Sequence, residues 1–158
     1  MSVRLKQSVY FIAFLFSALA LGPALAHLFA LPNKIGLPEA QYFIAQGVYR
    51  GWALLGIVVI GALLSTLALA IVLRAERGPM LWALVAFLCI AATQVIFWTW
   101  TYPANAATSN WTMVPPNWEA LRTQWEYSHA ASACFNVVAI VALTLSVLSW
   151  RHGDRFGN

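Results

Sequence analysis

Four stretches of this chain, residues 7–33, 51–73, 78–118 and 127–150, contain no Asp, Glu, Lys or Arg; they run for 27, 23, 41 and 24 residues. At a rise of 1.5 Å per residue, about 20 apolar residues cross a hydrocarbon layer of about 30 Å. Each run is therefore long enough for one membrane span. Within the longest run, residues 81–100 are the densely apolar part. The expected fold is an all-α, integral membrane four-helix bundle, up-down-up-down, with spans at about 8–31, 51–73, 80–101 and 126–150. It forms one domain over residues 1–158. With 61% hydrophobic and 9% charged residues, against about 25% charged in a soluble domain, the surface cannot be water-facing throughout. The net charge of +4 is scattered along the chain and forms no basic stripe. Soluble enzymes, nucleic-acid binders and disulfide-stapled secreted modules are excluded. The partners expected are membrane lipids and a small hydrophobic ligand.

The N-terminus imitates a secretory leader: Arg4 and Lys6 precede an apolar stretch ending in Pro23-Ala24-Leu25-Ala26. The apolar stretch continues through Leu28, Phe29, Ala30 and Leu31, so an uncleaved first helix is expected. Four spans put both termini on one side, with Arg4, Lys6, Arg74, Arg77, Arg151 and Arg155; Lys34, Arg50 and Arg122 fall on the other. The positive-inside rule makes the richer side cytoplasmic, in a membrane of the bacterial inner type. The connections at 32–49 and 102–125 then face outward. His152, beside Arg151, reads as a headgroup-zone residue. Small residues at Ala20, Ala24, Gly47, Gly51, Gly56 and Gly61 are expected at helix contacts. Cys89 and Cys134 lie within spans and read as buried thiols.

The outward half is the chemically richer one. It holds Trp52, Trp98, Trp100, Trp111, Trp118 and Trp125, part of which an aromatic belt explains. A helix from Trp118 into the fourth span places Glu119, Arg122, Glu126, His129, Ala133 and Asn136 on one stripe. Such groups are too costly to face lipid, so the stripe looks inward. A Glu119–Arg122–Glu126 ladder at i+3 and i+4 is one reading of its outer part. The deeper Glu126 and His129 ask for partners: His27 on the first helix and Gln94 and Thr101 on the third lie at similar depth, while Asn33, Lys34, Arg50 and Asn105 ring the mouth. Glu126-x-x-His129 has the spacing that bundle metalloproteins use. With His27 it offers two histidines and a carboxylate, a set suited to non-haem iron. A hydrogen-bonded His129–Glu126–His27 cluster without metal is the competing reading. His27 and His129 on facing helices also have the composition of a haem axial pair. The sequence leaves the cofactor open, with none required. The outer loops at 102–116, rich in Trp and Pro, are expected to pack as a cap over this face.

Pro103-x-Asn105 followed by Trp118-x-x-Leu121-Arg122-x-x-Trp125-Glu126-x-x-His129 resembles the signature of the anthrone oxygenase-like family of small four-span membrane proteins. The likeness covers the four-span layout and, in detail, about 30 residues after the third helix. Ser132 departs from it, standing where that pattern carries a basic residue. The resemblance implies oxidation of a polycyclic anthrone to an anthraquinone without a conventional cofactor.

Two functions follow. The first is a membrane oxidoreductase acting on a small hydrophobic or quinone-like molecule that enters from the outer leaflet. There Glu126 or His129 serves as general base, Arg122 stabilises the oxyanion, and Asn105, Trp111, Trp118, Trp125 and Arg50 bind substrate. The second is a non-catalytic lipid-binding, accessory or assembly protein in which the polar stripe is internal glue.

Overall fold

The computed structural model describes residues 2–156, with side chains through Trp150; the side chains of Arg151, His152 and Arg155 lie outside the described residues. The elements are α1 (Val3–Lys34), α2 (Glu39–Gln46), two short 3-10 turns (Gly47–Tyr49 and Trp52–Leu55), α3 (Gly56–Val72), α4 (Arg77–Ile96), a π-helical turn (Phe97–Thr101), α5 (Tyr102–Ala107) and α6 (Trp118–Phe156). No strand occurs among the described residues. Four helical segments are long and apolar enough to cross a membrane. The protein is an integral membrane four-helix bundle.

Each long helix packs on its chain neighbour, and α6 closes the ring against α1. Alanines make this possible: Ala13, Ala62, Ala70, Ala83, Ala86, Ala139 and Ala142 are buried along the seams. Small side chains let backbones approach where lipid supplies no hydrophobic drive. Bulky residues such as Phe11, Ile57 and Val95 are exposed on the lipid side. Gly61 is the one proposed contact glycine of α3 that a neighbour presses closely, because the Phe16 ring occupies the space a Cβ would need. Gly47 and Gly51 instead lie in the approach to α3, and Gly51 has φ +86°, a left-handed turn that glycine adopts without cost. Gly56 begins α3 with open space around it. Cys89 is buried as expected, whereas Cys134 is exposed on the outer surface of the bundle.

The two ends differ. At the hairpin end, the turn between α3 and α4 is held by Lys6 paired with Glu76, and Tyr10 bonds Ser146 (2.8 Å), which donates to the carbonyl of Pro79 (2.8 Å). At the capped end the helices are longer than one crossing requires. The segment Trp118–Trp150 has 33 residues, about 50 Å at 1.5 Å each, well beyond a hydrocarbon layer of about 30 Å, and its first turns carry Glu119, Arg122 and Glu126. Around them fold α2, α5 and the 108–117 connection. Tyr42, Ala104, Trp111 and Trp125 are buried together there, with Leu37, Phe43, Tyr49, Trp118 and Leu121 packed against them. The connections at this end thus form a cap. They are more helical than the sequence reading: α1 runs through Pro32 to Lys34, α2 fills the first connection, and the third helix continues through its π turn into α5.

Candidate functional site

The cap closes over a cavity of about 700 Å³ between the outer halves of the four helices, within the range usual for small-molecule sites. Its centre is an imidazole pair. His27 from α1 and His129 from α6 stack face to face, centroids 3.9 Å apart and planes 20° from parallel. Aromatic rings box them: Tyr49 lies 4.3 Å from His27, Trp52 5.4 Å, and Trp125 5.0 Å from His27 and 4.3 Å from His129. The α1–α6 contact and the inward stripe of α6 put both histidines here.

Asn105 organises the roof. Its Oδ1 accepts from the indole N–H of Trp111 (3.1 Å) and of Trp125 (2.8 Å). To reach it, the chain passes through three consecutive left-handed residues, Ser109, Asn110 and Trp111, at φ 48°, 58° and 64°. Left-handed backbone costs a non-glycine residue roughly 1–2 kcal/mol, and the buried indole and its bond offset that cost. Thr108 Oγ1 accepts from the backbone N–H of Trp111 (3.1 Å) and donates to the carbonyl of Ala104 (2.8 Å). The π turn is tied to α6 by Gln124, whose amide donates to the carbonyl of Trp100 (2.8 Å), and by the Thr101–Ser128 hydroxyl pair (2.8 Å).

Three polar side chains on the cavity wall are more than nine-tenths buried and have polar atoms without a protein partner: Gln46 (Nε2 and Oε1), His27 (Nδ1) and Asn136 (Oδ1). Asn136 meets half its need, donating from Nδ2 to the carbonyl of Ser132 (2.9 Å). Gln94, Arg50, Asn105, Asn110, Ser132 and several threonines are the other polar residues beside them and His129.

Behind the cavity, in the α2–α6 contact, lies a buried charged layer. Lys34 Nζ is 2.9 Å from Glu126 Oε1, with both side chains nearly inaccessible. Tyr42 donates to the same oxygen at 3.0 Å. The ammonium also lies over Tyr49 (4.6 Å) and Trp125 (5.0 Å), the rings that flank His27. Burial holds the Tyr42 phenol well above its ordinary pKa, and the charge of Glu126 and its hydrogen bond add to this. Arg122 donates to the carbonyl of Leu37 (2.8 Å), with its guanidinium over Trp118 (4.6 Å).

The structure therefore divides the residues singled out from sequence. His27, His129, Asn105, Trp111, Trp125 and Arg50 line one cavity. Glu126, Arg122 and Trp118 stand one layer behind it. The Glu119–Arg122–Glu126 ladder does not form, because Lys34 and Tyr42 take Glu126, the Leu37 carbonyl takes Arg122, and Glu119 is exposed. His27, Glu126 and His129 do not converge as a metal set: among the described residues no three His, Cys, Asp or Glu side chains are placed to hold an ion. Nor does a hydrogen bond join them; the histidines stack and the carboxylate faces the lysine. A haem axial pair does not fit either, since stacked rings present their faces to each other and leave no room for a macrocycle between nitrogens. Lys34, expected at the mouth, is instead buried against Glu126. Tyr42, Gln46 and Tyr49 are the residues that sequence reasoning missed. A weak signal for two of them is present, as Tyr42 and Gln46 stand at i and i+4 on one face of α2. No family model, curated protein or solved structure matches the chain.

Proposed function

We propose that the protein binds a small, flat, largely apolar molecule with polar edges in this cavity and oxidises it, the substrate being of the anthrone or hydroquinone type. The observation that carries the binding step is the set of buried, unpartnered polar atoms of Gln46, His27 and Asn136 on a wall rich in aromatic rings. Buried polar groups are almost always satisfied; a ligand carbonyl or hydroxyl supplies what these lack, and the rings of Trp52, Trp111 and Trp125 supply stacking surface. Oxidation is supported by the resemblance to the anthrone oxygenase-like signature and by the histidine pair. A neutral imidazole offers one acceptor nitrogen, and His27 or His129 takes a proton from the acidic C–H of a bound anthrone. The resulting anion passes electrons to dioxygen; one O₂ converts anthrone to anthraquinone and water.

Glu126 and Arg122 act in this scheme through position. Their layer holds Lys34 and, through Tyr49 and Trp125, the rings around His27. The reading also places the capped end outside a bacterial inner membrane and both termini in the cytoplasm. It is supported by Arg4, Lys6, Arg74 and Arg77 at the hairpin end against Lys34, Arg50 and Arg122 beside the cap.

The test is turnover of anthrone by the purified protein in nanodiscs under oxygen, followed as anthraquinone formed. His27→Ala and His129→Ala should each lower the rate about 100-fold or more. Saturable anthrone binding without turnover would sink the oxidase reading and leave a ligand carrier. That second reading is favoured by the withdrawal of Glu126 and Arg122 from the cavity wall.

A further inference from the structure

The cavity has a side, and the exposed members of its wall identify it. Gly47, Arg50, Gly51, Ala53 and Gly56 on the approach to α3, Trp98 in the π turn, Tyr102 at the start of α5, and Asn110 and Thr112 in the cap line the cavity and are exposed. Of the liners from α1 and α6, Ala20, His27, Trp125 and Asn136 are buried, Pro23, Ala24, His129 and Ser132 are half-buried, and none is exposed. The opening thus runs from the cap, at Asn110 and Thr112, down the seam between the α3 entrance and the π turn that follows α4.

Its depth decides what passes through it. Trp98 lies only three residues before Thr101, which meets Ser128, the neighbour of His129. The lower lip of the opening is therefore about level with the histidine pair, inside the span. The surface around that lip is lipid-facing: Leu54, Ile57, Ile60, Val95 and Trp98 are all more than half exposed. Polarity also grades across the cavity. The unpartnered atoms of His27, Gln46 and Asn136 belong to α1, α2 and α6, whereas Leu55, Gly56, Val59, Phe97 and Trp98 form the seam. At Gly56 nothing lies within 4 Å of where a Cβ would sit, so the slot is open down to the first turn of α3.

We propose that the ligand of this cavity is a membrane amphiphile, whose ring end sits beside the histidines and whose single apolar tail leaves between Gly56 and Trp98 into the lipid. This rests on the reading of the cavity as a ligand site and narrows its occupant to a ring-headed lipid rather than a water-borne aromatic. A tail lying in the slot exchanges lipid contact for contact with Leu55, Val59 and Phe97 without leaving an apolar medium, while a headgroup or charge in the slot is stranded. The seam thus selects for a tail that is uncharged along its length.

The experiment uses two probes, 2-methyl-1,4-naphthoquinone and the same ring carrying a ten-carbon saturated chain. Binding to the full chain in nanodiscs is measured against empty nanodiscs, so that both affinities refer to probe already in the membrane. Wild type should bind both, the chain-bearing probe about tenfold more tightly or better through the methylenes it seats. Gly56→Phe fills open space and should fold normally. It should bring the two affinities to within about threefold by weakening the chain-bearing probe alone. Ile60→Phe, one turn deeper on the lipid face and outside the lining, should change neither. If the chain confers no advantage on wild type, or if Gly56→Phe leaves the advantage intact or weakens both probes equally, the tail does not lie in this seam and the proposal falls. If neither probe binds wild type, the ligand-site reading fails first and takes this one with it.

Discussion

Replacing Glu126 by Gln removes one charge from the layer behind the cavity while keeping the side chain's size and an oxygen for Tyr42. Unit charges 2.9 Å apart attract by about 6 kcal/mol at an effective dielectric constant of about 20. Much of that attraction is spent on taking both groups out of water, so the pair's net worth is far smaller than the attraction alone. The cost of breaking it is not small, because Lys34 is left buried opposite an amide. Loss of one partner from a buried pair typically costs about 3–5 kcal/mol, and Glu126→Gln and Lys34→Met should each fall in that range. The double substitution leaves no stranded charge and should cost at least about 2 kcal/mol less than the sum of the two singles. Reversible unfolding in mixed micelles, titrated with dodecyl sulfate and followed by tryptophan fluorescence, reads all four corners of the cycle. Single-variant losses below about 1 kcal/mol, the range of exposed pairs, or losses that simply add, would refute the claim that the pair is buried and coupled.

Three further outcomes are expected. Tyr42 has a raised pKa, so its proton binds more tightly in the folded state; its contribution is fully present below the unfolded value near 10 and is lost as pH rises above it. Wild type should therefore lose stability relative to Tyr42→Phe above pH 10, by up to about 1.4 kcal/mol per pH unit, and parallel melting curves from pH 8 to 11 would contradict this. Asn110→Gly relieves a left-handed residue at φ 58° and should stabilise the protein by up to about 1 kcal/mol, whereas Asn105→Leu removes the acceptor shared by two indoles and should cost about 2–3 kcal/mol; differential melting in one detergent compares them. Gly61→Ala drives a methyl into the Phe16 ring and should cost about 1–3 kcal/mol, a loss that Phe16→Leu restores in part.

The spans were legible because hydrocarbon is an unforgiving solvent: a run of 23 or more residues without a charge has few alternatives to a buried or lipid-bathed helix. The inward stripe on α6 was legible for the same reason, and it correctly aimed His129 and Asn136 at the bundle interior. What the one-dimensional pattern could not resolve was competition between elements. Glu119, Arg122 and Glu126 have the spacing of an intrahelical ladder, yet α2 and the end of α1 supply better partners. Lys34, at the end of an apolar run, reads as one of the polar residues ringing the mouth. Only the fold of α2 back over it, which brings Tyr42 to the same carboxylate, makes it a buried cation. The π turn at Phe97–Thr101 left no signal either, since the Phe-Trp-Thr-Trp-Thr sequence serves an interfacial belt as well as a wide helical turn. Its partners, Gln124 and Ser128, come from another helix. The left-handed run at Ser109–Trp111 likewise depends on Asn105 and Trp125 being in place to receive it.

The Lys34–Glu126 pair joins the first long helix to the last, and this has a consequence for biosynthesis. A ribosome delivers Lys34 to the membrane long before Glu126 exists. Until the final helix arrives, the lysine has no internal anion and can satisfy itself only at the headgroups, so the cap cannot close and α2 has no carboxylate to dock on. The charged layer therefore reports completion of the chain. A nascent or truncated protein carries an unneutralised lysine and an unseated Tyr42, and leaves the segment around α2 without its anchor. The finished molecule hides both at once.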